Sequence, residues 1–265
     1  MITKEDINSY IEKIPPAPQA LKETLFELNR GELIKAAQVA EGDKALSSYL
    51  KVLVNKPIYG FRNEVKGVSQ IFGILGVAQS QQAVYNYMLT LLSPSKWELF
   101  KLNRVTFYNL QADLSMQWKK ILNHLEIDNK DIHSAISLLP ASIIVSEALF
   151  ATKKADVTLL RSVNEIDYNT ILKRLTGLDL FDISTMIATK WEMPLTIAKI
   201  IQAASGEKEE KEKKIERLGQ WMHLLLFYIL SQPKYIEAEL NDFIEFKIEY
   251  VSPIYDDFMQ LMEIS

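Results

Sequence analysis

The chain has 265 residues, 48% of them hydrophobic, with a formal net charge of −4 and a pI near 5.6. This length and apolar content support one large domain or two modest ones and exclude wholesale disorder. The acidic balance argues against a whole-protein grip on nucleic acid, and the absence of cysteine removes disulfides, thiol nucleophiles and Cys-based zinc sites.

Charges begin at Lys4, Glu5 and Asp6 with no apolar stretch behind them, so no signal peptide is expected. Lys4–Lys13 predicts a short helix, which Ile14-Pro15-Pro16-Ala17-Pro18 breaks because proline removes a backbone donor and restricts the residue before it. Leu21, Leu25 and Leu28 then share one helical face, and Asn29-Arg30-Gly31 ends that helix. Glu32 to Glu41 is the next helix, stopped by Gly42, and Ala45 to Val54 the one after, striped by Leu46, Tyr49, Leu50 and Leu53. The loop Asn55 to Gly60 leads to the apolar stretch Val68 to Gly76, where Gly76 reads as a helix end. A longer helix is expected from about Ala78 to Leu92.

Ser93-Pro94-Ser95 reads as a break and N-cap signal, placing a subdomain boundary there and one or two long helices over Lys96 to Leu125. Further helices are expected from about Ile132, Leu159, Asn169 and Leu195. Lys119-Lys120, Lys153-Lys154 and Lys173-Arg174 read as solvated helix positions. Glu207 to Arg217 is almost entirely Glu, Lys and Arg; the i,i+4 pairs Glu209–Lys213 and Glu210–Lys214 suit an exposed helical start. The longest apolar run, Trp221 to Leu230 with His223 inside it, is about half the ~20 residues of a membrane span and predicts a core helix.

Several phrases resemble those of the HDOD family, the HD-related output domains of bacterial signalling proteins. Ile14-Pro15-Pro16-Ala17-Pro18-Gln19-Ala20-Leu21 resembles its Leu-Pro-x-x-Pro opening. Asp43-Lys44-Ala45-Leu46, Leu50 and Asn55-Lys56-Pro57-Ile58-Tyr59-Gly60 resemble the next phrase, departing at Lys44 and Lys56. Ile71-Phe72-Gly73-Ile74-Leu75-Gly76 resembles Ala-Ile-x-x-Leu-Gly, with Gln70 where the alanine would stand. Leu138-Leu139-Pro140-Ala141-Ser142-Ile143 resembles the HD metal motif Leu-Leu-His-Asp-Ile-Gly with its ligands gone, since Pro140 and Ala141 carry no ligating side chain. Gly177-Leu178-Asp179-Leu180 resembles Gly-x-Asp-His with Leu180 replacing the histidine, and Lys190-Trp191-Glu192-Met193-Pro194 resembles a Trp-Gly-Leu-Pro turn. Ala203-Ala204-Ser205 falls where paired histidines often lie. The resemblance spans about Ile14 to Gly206.

Residue chemistry agrees with a missing metal centre. The histidines are His124, His133 and His223; none precedes an aspartate and none falls on a family ligand position, so they read as surface or half-buried groups. There is no Gly-x-Ser-x-Gly, and Gly73 to Gly76 lacks the Lys-Ser or Lys-Thr of a phosphate cradle. Phe243, Phe246, Tyr250, Tyr255 and Phe258 crowd the tail beside Met259 and Met262. They suit either a helix packed on the domain or a partner surface. Arg62 is a further candidate contact for an acidic partner or phosphate, and Tyr59 reads as core-facing.

The fold expected is all-α. It comprises an N-terminal helical subdomain (1–94), a degenerate HD-like bundle (95–206), and a charged link with C-terminal helices (207–265). The resemblance implies a cytoplasmic, non-catalytic output or adaptor module of bacterial signal transduction, with signalling proteins as partners, no cofactor and no membrane. No sensor, receiver or cyclase segment is recognisable, so the input is expected from another molecule. The alternatives are a divergent metal-dependent phosphohydrolase and a regulator that binds a small ligand or nucleotide in the emptied metal cavity.

Overall fold

In the computed structural model of the protein, the structure describes residues 2–56, 61–164, 166–207 and 210–263. Tyr59 and the Glu209–Lys213 pair, singled out above, fall on or depend on positions outside them. The regular structure of the described residues is all helical, with no strand among them.

The N-terminal part holds α1 (Lys4–Lys13), α2 (Gln19–Asn29), α3 (Leu33–Gly42), α4 (Lys44–Val54) and α5 (Val68–Thr90). Thr3 and Asp6 close a capping box on α1, and Asp43 accepts the amides of Ala45 and Leu46 at the start of α4. Gly76 breaks α5 into two helical halves with φ of 71°, a left-handed region that glycine enters without steric cost. The leucine stripe of α2 is inward as the spacing requires: Leu21, Leu25 and Leu28 are buried.

The central bundle holds α6 (Arg104–His124), α7 (Lys130–Ala135), α8 (Leu139–Phe150), α9 (Lys154–Asn164), α10 (Tyr168–Thr176), α11 (Leu180–Lys190) and α12 (Leu195–Ala203). The tail adds α13 (Lys213–Leu230), α14 (Pro233–Ile236), α15 (Ile248–Val251) and α16 (Tyr255–Glu263). The core is continuous across these parts. Gln82 of α5 donates to the carbonyl of His133, α8 packs on α11 and α1, and α13 packs between α6 and α12. From Lys130 to Ser162 runs one helical stretch long and apolar enough to span a membrane by composition, and 78% of its apolar window is buried within the bundle.

One boundary differs from the sequence reading. Ser95 does not cap a helix: α6 begins at Arg104, and Asn103 caps it by accepting the amide of Thr106 at 2.9 Å. Residues 96–103 form a non-helical strap instead, held from below. The buried carboxylate of Glu147 accepts the backbone amides of Glu98, Leu99 (3.0 Å) and Phe100 (3.0 Å). Three convergent N–H groups satisfy a buried carboxylate in place of water.

Candidate functional site

The positions that the resemblance assigns to the HD metal ligands lie at the start of α8 and of α11. Pro140 stands in the first turn of α8, where its missing N–H costs nothing. Pro140, Ala141 and Leu180 are all buried. Ala141 and Leu180 are part of the continuous apolar core. No group of three or more His, Asp or Glu placed to hold a metal ion occurs among the described residues.

The histidines are more buried than expected. His124 is half-exposed and bonds Asp257 at 2.8 Å, but His133 and His223 are core residues. Burial pushes His133 below its ordinary range and His223 down to about 4, so both are neutral imidazoles in the neutral range. His223 is stacked on Phe181, edge-on to Tyr250, and within 2.9 Å of the Ala204 carbonyl through Nδ1.

That contact is one of three on the end of α12. The Tyr250 hydroxyl donates to the Ala203 carbonyl at 2.6 Å and the Lys247 ammonium to the Ser205 carbonyl at 2.8 Å. The last carbonyls of a helix lack intrahelical donors, and here the tail supplies them, including a cation at the negative end of the helix dipole. Asp179 sits nearby as the cap of α11, in a reciprocal box with Asp182. Burial raises its carboxyl to about 6.

The five tail aromatics do not form a free surface. Phe243 and Phe258 have no exposed area, while Phe246, Tyr250 and Tyr255 are half-buried against the core. They pair inward, Phe243 with Phe100, Phe258 with Trp221 and Phe246 with Phe227, at centroid distances of 5.7, 5.7 and 4.8 Å. Phe243 thus joins the tail to Phe100, while Phe258 and Phe246 pack within the tail against α13; aromatic pairs serve cores and interfaces alike. Arg62 is exposed, far in sequence from these pairs. The charged run begins α13 at Lys213, and its preceding acids reach across the fold: Glu207 bonds Lys173 and Lys247, and Glu212 bonds Lys199 at 3.0 Å. Sequence reasoning missed Glu147, Lys247 and the capping role of Tyr250, because each acts on backbone groups distant in sequence and leaves no periodic signal.

The HDOD domain profile matches residues 14–206. The chain belongs to the HDOD family. Among curated proteins none matches its sequence. The fold is shared end to end with an HDOD domain protein from Geobacter sulfurreducens, at 14% identity and a TM-score of 0.67, covering 97% of this chain and 94% of that one. It is shared equally with a protein provisionally named a phosphohydrolase from Shewanella amazonensis SB2B, at 15% identity and a TM-score of 0.68, covering 97% of each. A protein provisionally named for signal transduction, from Marinobacter aquaeolei VT8, has 16% identity and a TM-score of 0.64 over 98% of this chain and 64% of that one. The HDOD profile ends at Gly206, yet the fold held in common continues through the tail.

Proposed function

We propose that this HDOD chain is a non-catalytic output or adaptor module of bacterial signal transduction, working in the cytoplasm through contacts with other proteins. The observation that carries the reading is the packing at Pro140, Ala141 and Leu180. Three residues without a ligating side chain are buried where the family resemblance places metal ligands. The phosphohydrolase name attached to the Shewanella protein belongs to that protein; at 15% identity the likeness is one of fold.

The test uses full-length protein purified without chelator. Its transition-metal content is measured, and it is then assayed with added Mn²⁺, Fe²⁺ or Mg²⁺ against cyclic dinucleotides and (p)ppGpp. The expected result is metal well below one equivalent and no turnover above background. A stoichiometric transition metal, or metal-dependent hydrolysis of either substrate, overturns the reading.

A further inference from the structure

Between the end of α6 and the first turns of α13 lies an open groove of about 440 Å³. Its apolar wall is Leu125 and Ile127, both half-buried, beside the buried Leu218. Its rim is cationic: Lys213, Lys214 and Arg217 are exposed and line it together. Glu126 is the one acid in its lining. Concave sites of ~300–1,000 Å³ that join apolar walls to a few charged groups are the usual form of a binding site.

The fold leaves these cations available. The Glu210–Lys214 pair expected along a helix is not made, because α13 begins only at Lys213. The Glu210 carboxylate accepts the Glu212 amide at 3.1 Å instead, and Glu212 pairs with Lys199. Lys214 has no carboxylate partner among the described residues. Arg217 meets Asp257 at 3.8 Å, and that carboxylate already bonds His124 at 2.8 Å. A guanidinium carries five N–H donors, so Arg217 keeps donors for another anion.

Nor are the cations needed to finish α6. Its last carbonyls are met by backbone amides: Leu125 donates to Ile121 at 2.9 Å, Glu126 to Asn123 at 3.1 Å and Ile127 to Leu122 at 2.8 Å. The shape of the site selects among anionic partners. Lys213 to Arg217 spans only ~6 Å along the helix axis, which suits a few clustered carboxylates rather than the long phosphate track of a nucleic acid. The apolar wall is recessed in the groove, where a side chain can enter and the broad face of a bilayer cannot. The net charge of −4 on the whole chain works against both of those larger polyanions.

Resting on the adaptor reading, we infer that the α6–α13 groove docks an acidic segment of a partner protein. The segment lays an apolar side chain against Leu125 and Ile127 and sets carboxylates on Lys213, Lys214 and Arg217. Charge selects the partner and the apolar anchor holds it.

The test is selection of an acidic-biased random peptide display library on the full chain, with each enriched peptide synthesised and its affinity measured by fluorescence anisotropy. Lys214→Glu and Arg217→Glu reverse the rim, and Glu126→Gln removes the one acid in the lining. All three change exposed positions and are checked for an unaltered circular dichroism spectrum and melting midpoint. The expected peptides combine carboxylates with an apolar or aromatic residue. Their binding falls by roughly tenfold or more in Lys214→Glu and Arg217→Glu, tightens about threefold in Glu126→Gln, and weakens with salt. A merely structural role for the cations would not give opposite responses to the loss of rim charge and of the acid. If Arg217→Glu lowers the midpoint by disturbing Asp257, Lys214→Glu decides, since it has no such partner to lose. Absence of any enriched peptide, or peptides that bind every variant as well as the parent, overturns this surface while leaving the adaptor reading intact. Phosphatidylglycerol vesicles, a DNA duplex and self-association of the chain are measured alongside. Any of these that occurs in the parent and is abolished by Lys214→Glu overturns the peptide assignment. Metal-dependent turnover in the preceding experiment would instead remove the reading on which it rests.

Discussion

At the scale of single residues, two buried titratable groups pull stability in opposite directions. His223 is held down to about 4, so between its ordinary value near 6.5 and that level the unfolded chain binds a proton that the folded chain refuses. Its contribution is full above the upper value and falls by about 3 kcal/mol as the pH drops through the window. Asp179 is held up to about 6, so the folded chain takes a proton first, and stability rises as pH drops from there toward the ordinary carboxylate range. The two slopes largely cancel in the parent chain. Urea titrations at pH 7, 5.5 and 4.5 should separate them. Relative to the parent, His223→Gln gains stability toward acid and Asp179→Asn loses it, each by about 3 kcal/mol at full effect. Three parallel curves would refute the assignment. Burial of neither group was legible in the sequence, where His223 is a histidine inside an apolar run and Asp179 the aspartate of the Gly-x-Asp-His resemblance.

At the scale of elements, the seam between α12 and α13 is set by a missing side chain. A Cβ on Gly219 would stand 2.7 Å from the Ala203 carbonyl carbon and 2.8 Å from the Tyr250 hydroxyl. Gly219→Ala must therefore push backbone apart and should cost about 1–3 kcal/mol, read as a lowered midpoint in thermal unfolding. Gly73 is the control. It lies within the helical first half of α5, exposed, with nothing within 4 Å of an added Cβ. Gly73→Ala should therefore stabilise by about 1 kcal/mol through helix propensity alone. Equal effects at the two sites would contradict the packing described. Much of the element pattern was legible beforehand. Lys4–Lys13 and the break at Gly76 stand where periodicity and glycine chemistry put them. The strap 96–103 was not legible, because Ser-Pro-Ser is a sound local cap signal overruled by a carboxylate 47 to 49 positions away. Local propensity yields to such tertiary contacts.

At the scale of the whole molecule, the family resemblance foresaw an all-helical fold spanning Ile14 to Gly206, the span of the matching profile. It was blind to the tail, whose aromatics are common to cores and interfaces alike. With the structure, the tail becomes part of the bundle: Trp221, Phe243 and Phe258 are buried, and three side chains cap α12. A chain ending after Gly206 should expose the apolar faces of α6 and α12 and leave the carbonyls of Ala203, Ala204 and Ser205 unmet. The expected outcome is insoluble or molten protein, without a cooperative melting transition. A truncated form that melts cooperatively near the parent midpoint would show the tail to be dispensable.

The three donors on α12 lie 19, 42 and 47 positions beyond the groups they bond. A ribosome releases a chain from its N-terminus, so the end of α12 emerges well before Lys247 and Tyr250 exist. The bundle must therefore wait, with its last helix unfinished, until synthesis has run dozens of residues further. Completion of the fold is a late event by construction, set by the order in which the chain is made.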